Sequence, residues 1–98
     1  MASLRITQHP ALSPGQRIPL ASDCFVIGRN PDCQLAIHSP RVSRQHAQLR
    51  LQEGEWYIED LRTRHGTWVN NQEIHNLTPL THNDEIRLPD FLAVFEDT

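Results

Sequence analysis

Apolar and polar residues alternate along this chain in short runs, and the runs are broken by Gly, Pro, Asn and Asp. Leu4-Arg5-Ile6-Thr7 puts its two apolar side chains on one face. Phe25-Val26-Ile27 is aromatic and β-branched and stops at Gly28. His46-Ala47-Gln48-Leu49-Arg50-Leu51 sets Ala47, Leu49 and Leu51 on one face. Gly54 then turns the chain into Trp56-Tyr57-Ile58, which alternates again. Thr67-Trp68-Val69, Asp84-Glu85-Ile86-Arg87-Leu88 and Phe91-Leu92-Ala93-Val94-Phe95 complete the series. A period of two is the pattern of a half-buried strand. No stretch carries a sustained helical stripe with caps, and several of the seven prolines fall between the runs. The pattern predicts an all-β fold, two antiparallel sheets packed face to face, with loops gathered at the ends of the sandwich. Asn70-Asn71 reads as a hairpin turn, because asparagine tolerates positive φ.

The 98 residues are read as one domain, 1–98. With 38% hydrophobic and 21% charged residues, the composition suits a soluble globular protein. No apolar run is long enough to cross a bilayer, and Met1-Ala2-Ser3-Leu4-Arg5 lacks an apolar signal core. The expected location is the cytoplasm, with no membrane partner and a monomeric state. The first and last runs lie close to the chain ends, which suits a small whole protein or a module of a longer one. Cys24 and Cys33 are too few and too far apart for a metal knuckle or redox pair, so free thiols are expected. The six histidines are scattered, and neither a metal site nor a cofactor is expected.

Charge changes the picture. The net value of −3 argues against a nucleic-acid partner. Yet all nine basic residues are arginines, and five of them, Arg29, Arg41, Arg44, Arg62 and Arg64, fall in three clusters where strands should end or begin. The planar guanidinium matches phosphate oxygens in pairs. A phosphate ester carries about −1.5 to −2 charges and three acceptor oxygens. Holding one needs a placed arginine, a hydroxyl and free backbone N–H groups. Arg29 follows a strand-ending glycine, Ser43 lies between two arginines, and Thr63 to Gly66 is a tight turn able to offer backbone donors. Ser43 and His46 are also the nucleophile and base that a hydrolase would need. They stand three apart at a loop–strand junction with no third group, so binding is the simpler reading and no catalytic residue is expected.

Phe25-Val26-Ile27-Gly28-Arg29-Asn30, Ser43-Arg44-Gln45-His46, Asp60-Leu61 and Gly66-Thr67-Trp68-Val69-Asn70 together resemble the forkhead-associated (FHA) domain, over essentially the whole chain. The resemblance implies an FHA/SMAD-like β-sandwich of about eleven short strands. It also implies a phosphothreonine-dependent, protein-binding signalling module. Arg29 and Ser43 match the residues that hold the phosphate. Arg41 matches a position where some members carry a basic contact to phosphate or to the downstream peptide. His46 matches a histidine that braces the site from inside, and Gly28, Gly66 and Asn70 match turn and framework positions. Two departures stand out. Arg44 follows the serine at a position that usually serves the peptide. Arg64-His65 replaces a Thr-Asn pair whose threonine helps bind phosphate and whose asparagine bonds the peptide main chain. The set expected to meet a phosphopeptide is therefore Arg29, Arg41, Ser43, Arg44, Arg64 and His65, with acidic flanking residues favoured. The Arg64-His65 departure motivates an alternative: the same fold binding a partner without phosphate.

Overall fold

The computed structural model describes residues 1–97 and holds β1 (Ala2–Gln8), β2 (Arg17–Pro19), β3 (Cys24–Gly28), β4 (Leu35–Ala36), β5 (Ala47–Gln52), β6 (Glu55–Asp60), β7 (Trp68–Val69), β8 (Gln72–Glu73), β9 (Thr78–Pro79), β10 (Glu85–Leu88) and β11 (Phe91–Asp97). Six strands form one sheet in the order β2-β1-β11-β10-β7-β8, and five form the other in the order β4-β3-β5-β6-β9. The all-β sandwich expected from the alternation is present. One pairing departs from it: β4 runs parallel to β3, with Ile27 opposite Leu35. A two-residue strand has no period to read, and the loop between β3 and β4 brings it back in the same direction.

The inward faces of both sheets supply the core. Leu4, Ile6, Ile86, Phe91, Ala93 and Phe95 from one meet Phe25, Ile27, Ala47, Leu49 and Ile58 from the other, all at most 3% exposed. Leu51, expected to share the face of Ala47 and Leu49, is only half-buried at the end of β5. The strand itself begins at Ala47; His46 belongs to the loop before it. Tight turns fix the registers. Glu53-Gly54 joins β5 to β6 with φ of 52° and 81°, and Asn70-Asn71 joins β7 to β8 with φ of 51° and 67°. Positive φ at both central residues is the primed hairpin turn that matches strand twist. Pro89-Asp90 closes β10 to β11, with Asp90 at φ 59°.

The register of the five-stranded sheet brings three loops together. Ile27 pairs with Ala47, and Ala47 with Asp60, so β3 ends, β5 begins and β6 ends in one row. The segments 29–34, 37–46 and 61–67 therefore leave the sandwich from the same end.

Candidate functional site

Two side chains from the 37–46 loop dive into the core: Ile37 is fully buried and Val42 is 1% exposed. Burying a side chain of this size contributes roughly 1.5–3 kcal/mol, which pins a loop that has no ladder of its own. The backbone completes the attachment. Arg29 N–H donates to the Ser43 carbonyl at 2.9 Å, Asn30 N–H to Arg44 at 3.1 Å, and Ile37 N–H to Gly28 at 2.8 Å. This close approach is why Gly28 is glycine. A Cβ there would lie 2.3 Å from the Arg44 carbonyl oxygen and 3.0 Å from the Gln45 Cα. Both are backbone atoms and have no rotamer to change. Gly28→Ala is expected to destabilise the protein by about 1–3 kcal/mol, the usual cost of overpacking, read as a lower urea midpoint. An unchanged midpoint would show that the loop simply moves aside.

His46 ties the three segments together. It is fully buried. Its Nδ1 accepts from the Ser43 N–H at 3.0 Å, and its Nε2 lies 2.7 Å from the Gly66 carbonyl. A backbone N–H only donates, so Nδ1 carries no proton and Nε2 donates to Gly66. Burial pushes this imidazole below its ordinary value. The Gly66 carbonyl and Asp60 pull it up, and His65 adds to the lowering. The backbone of His46 serves the same purpose, donating to Ile27 and accepting from Leu61.

The 61–67 segment is locked by Asp60, whose role the sequence motifs do not announce. Its Oδ1 accepts from the Thr63 hydroxyl at 2.6 Å and the Thr67 hydroxyl at 2.8 Å, and its Oδ2 from the Thr63 N–H at 2.9 Å. Burial raises the Asp60 carboxyl, but these hydrogen bonds and the nearby His46 outweigh it and hold the group below the usual carboxylate range. The Thr63 hydroxyl in turn accepts from the Gly66 N–H at 3.0 Å. The sequence predicts a turn offering backbone donors from Thr63 to Gly66. Those two terminal N–H groups are consumed inside it, and among the described residues the N–H groups left open are those of Arg64 and His65. The spacing Asp60-x-x-Thr63, with a second Thr at 67, is the signal for this lock, since short polar side chains bond their own turn.

The polar atoms left free by this framework define the site. Arg29 is exposed, and its Nε donates to the Val42 carbonyl at 3.0 Å. That bond aims the guanidinium and leaves both terminal nitrogens open. Ser43 is held through both backbone groups, while its half-buried hydroxyl has no partner within the described residues. Arg44 is exposed and, with Arg29, Asn30 and Pro31, lines an open pocket of about 350 Å³. Arg64 and His65 are exposed on the 61–67 segment. Among the described residues, none of Arg29, Arg44, Arg62 and Arg64 has a carboxylate within ion-pair distance, whereas Arg5, Arg17, Arg41 and Arg50 do. Arg87 instead lies 4.5 Å from the Trp68 ring. The uncompensated charge thus collects on the loops of one end.

Two expected members sit differently. Arg41 shares the loop with Ser43 but is paired with Asp90, Nη2 to Oδ1 at 2.9 Å. Asn70 holds Asp84 and the Glu85 N–H at 2.9 Å each, so it braces β7 against β10 and bonds none of the three loops.

A family model described as the FHA domain matches residues 25–89, about two thirds of the chain and all three loops. The chain belongs to the FHA domain family. This FHA domain is 33% identical over 81 residues to the glycogen accumulation regulator GarA of Mycolicibacterium smegmatis, covering 83% of this chain and 51% of GarA. It is 36% identical over 81 residues to the oxoglutarate dehydrogenase inhibitor of Corynebacterium efficiens, covering 83% and 56%. The chain thus spans about half the length of these curated relatives. Among solved structures, Mycobacterium tuberculosis EmbR in complex with a low-affinity phosphopeptide superposes with a TM-score of 0.87 at 29% identity, over 97% of this chain and 24% of EmbR.

Proposed function

We propose that residues 1–98 act as one phosphothreonine-dependent protein-binding module in signalling. Arg29 and Ser43 hold the phosphate, and Arg44, Arg64 and His65 lie along the peptide. One observation carries this reading. The free guanidinium end of Arg29 and the free hydroxyl of Ser43 stand on adjoining backbone that His46, Val42 and Gly28 hold in place. Donors fixed before the ligand arrives lose little freedom on binding. The partner is a protein or peptide carrying phosphothreonine, met by a monomer that needs no cofactor. No helix among the described residues is long and apolar enough to cross a membrane. Free Cys24 and Cys33 suit the reducing cytoplasm.

Binding rather than hydrolysis follows from His46. Its Nδ1 is engaged by the Ser43 backbone and its Nε2 by Gly66, so neither nitrogen is open to take a proton from the Ser43 hydroxyl.

Titration with one peptide in threonine and phosphothreonine forms tests the proposal. The phosphorylated form is expected to bind alone, more weakly as salt rises, because part of the attraction is between exposed charges. Equal binding of both forms would favour the phosphate-independent alternative, which the Arg64-His65 pair motivates. His65 also carries a prediction of its own. A carboxamide presents a donor and an acceptor on one planar end; an imidazole has its nitrogens on different edges. His65→Asn is expected to tighten phosphopeptide binding about two- to tenfold, the worth of one added hydrogen bond. A weaker complex, with the same pH dependence of binding in both proteins, would overturn this placement of His65 in the peptide groove.

A further inference from the structure

We propose that Asp90 sets the specificity of this site by neutralising Arg41, so that an acidic residue of the bound peptide finds no partner on that flank. The inference rests on the phosphothreonine reading and deepens it.

Asp90 comes from the other sheet, on the β10–β11 turn. Three features fix it. The turn has two residues, Asp90 sits at φ 59°, and the next residue, Phe91, is 1% exposed. Its Oδ2 accepts from the Ser39 hydroxyl at 2.6 Å, and Ser39 is itself only 3% exposed. Its Oδ1 holds Arg41 at 2.9 Å. The Ser39 hydrogen bond, joined by the charge and hydrogen bond of Arg41, outweighs the opposing effect of burial and keeps the carboxyl below the usual carboxylate range. Asp90 is therefore ionised throughout the physiological range.

An exposed ion pair usually holds weakly, because two mobile side chains must be ordered at once. Here a buried hydroxyl has already ordered the acid, and only the arginine remains to be placed. The Arg41 side chain is 60% exposed. It stands two residues before Ser43, at most about 7 Å of extended chain, and so within reach of a peptide whose phosphate rests on Ser43 and Arg29. Its charge is already balanced before that peptide arrives. A ligand carboxylate would have to displace Asp90, exchanging one ion pair for another. Arg44 and Arg64 have no such counter-charge. The domain is then selective on the flanks that Arg44 and Arg64 serve and indifferent on the flank of Arg41, a specificity made by an intramolecular competitor.

The test is a set of phosphothreonine peptides in an alanine background, with aspartate placed in turn at each position on either side, each paired with its unphosphorylated form. Wild type, Asp90→Asn, Arg41→Ala and the double variant are compared. Asparagine tolerates the left-handed backbone at position 90 and can still accept from Ser39. In Asp90→Asn one new aspartate-preferring position is expected, with a gain of about threefold or more, the order of a single exposed charge pair. It should vanish in the double variant, and Arg41→Ala alone, which leaves Asp90 ionised without its counter-charge, should gain no aspartate preference at that position. An unaltered profile in Asp90→Asn, with phosphate dependence retained, overturns this inference alone. So does a wild-type aspartate preference that Arg41→Ala removes. Loss of phosphate dependence in the wild type overturns the phosphothreonine reading and this inference with it.

Discussion

Arg29→Ala is expected to weaken phosphothreonine-peptide binding by at least about tenfold while the protein still unfolds cooperatively at nearly the same urea concentration. A hydrogen bond to a charged group contributes about 1.5–3 kcal/mol, and a guanidinium fork makes two. Tenfold corresponds to only about 1.4 kcal/mol, so the threshold is conservative. The fold should be spared because the side chain is exposed and makes a single, part-buried internal hydrogen bond, from Nε to the Val42 carbonyl. Arg29→Lys separates charge from geometry. Lysine keeps the charge but has neither the Nε anchor nor the fork, so an affinity between those of wild type and the alanine variant is expected. Isothermal titration of all three proteins with one peptide decides it. Unchanged affinity in a folded Arg29→Ala protein would remove Arg29 from the phosphate.

His46→Ala is expected to act on stability and binding together, with a loss of about 3–5 kcal/mol by urea denaturation. The side chain is fully buried, so truncation leaves a cavity. It also leaves the Ser43 N–H and the Gly66 carbonyl without partners, and each unsatisfied buried group costs about 1–3 kcal/mol. Ser43 and the 61–67 segment would lose their common support, so affinity should drop even in the folded fraction. The same histidine predicts a pH dependence. Its folded value is depressed, whereas the unfolded chain takes up a proton near about 6.5. Its contribution to stability is therefore complete above that pH. It is lost as pH falls below it, by up to about 1.4 kcal/mol per unit until the folded value is reached. Asp60, Asp90 and Glu96 are depressed carboxylates, so they lose stability only at more acidic pH. A wild-type stability that stays flat between pH 7 and pH 5 would rule out a neutral, proton-excluding His46.

Alternation makes the long strands legible because each has one face in the core. It does not reveal β2, β4, β8 and β9, since two or three residues carry no period and exist only through their neighbours. The count of eleven comes instead from the family resemblance. In the site, Gly28 and His46 are readable because local motifs announce them. The Asp60 lock is also local and has a signal, yet the same residues read equally as a turn with open donors. The Asp90 contact has none, because it joins Arg41 to a turn that only the packing of one sheet on the other brings near.

The pairing of β1 with β11 runs from Ala2 opposite Asp97 to Gln8 opposite Leu92. The first strand of the domain is therefore completed by its last. At roughly 5–20 residues per second, the β1–β2 hairpin waits several seconds or more with Leu4 and Ile6 uncovered, and a lone hairpin is marginal at best in water. The five-stranded sheet closes over shorter loops and needs nothing beyond Pro79. Because loop closure costs more as the loop lengthens, the end that carries the three loops is expected to take shape early in folding. The β1–β11 seam then forms last, and any delay there prolongs the interval in which the new chain is open to aggregation.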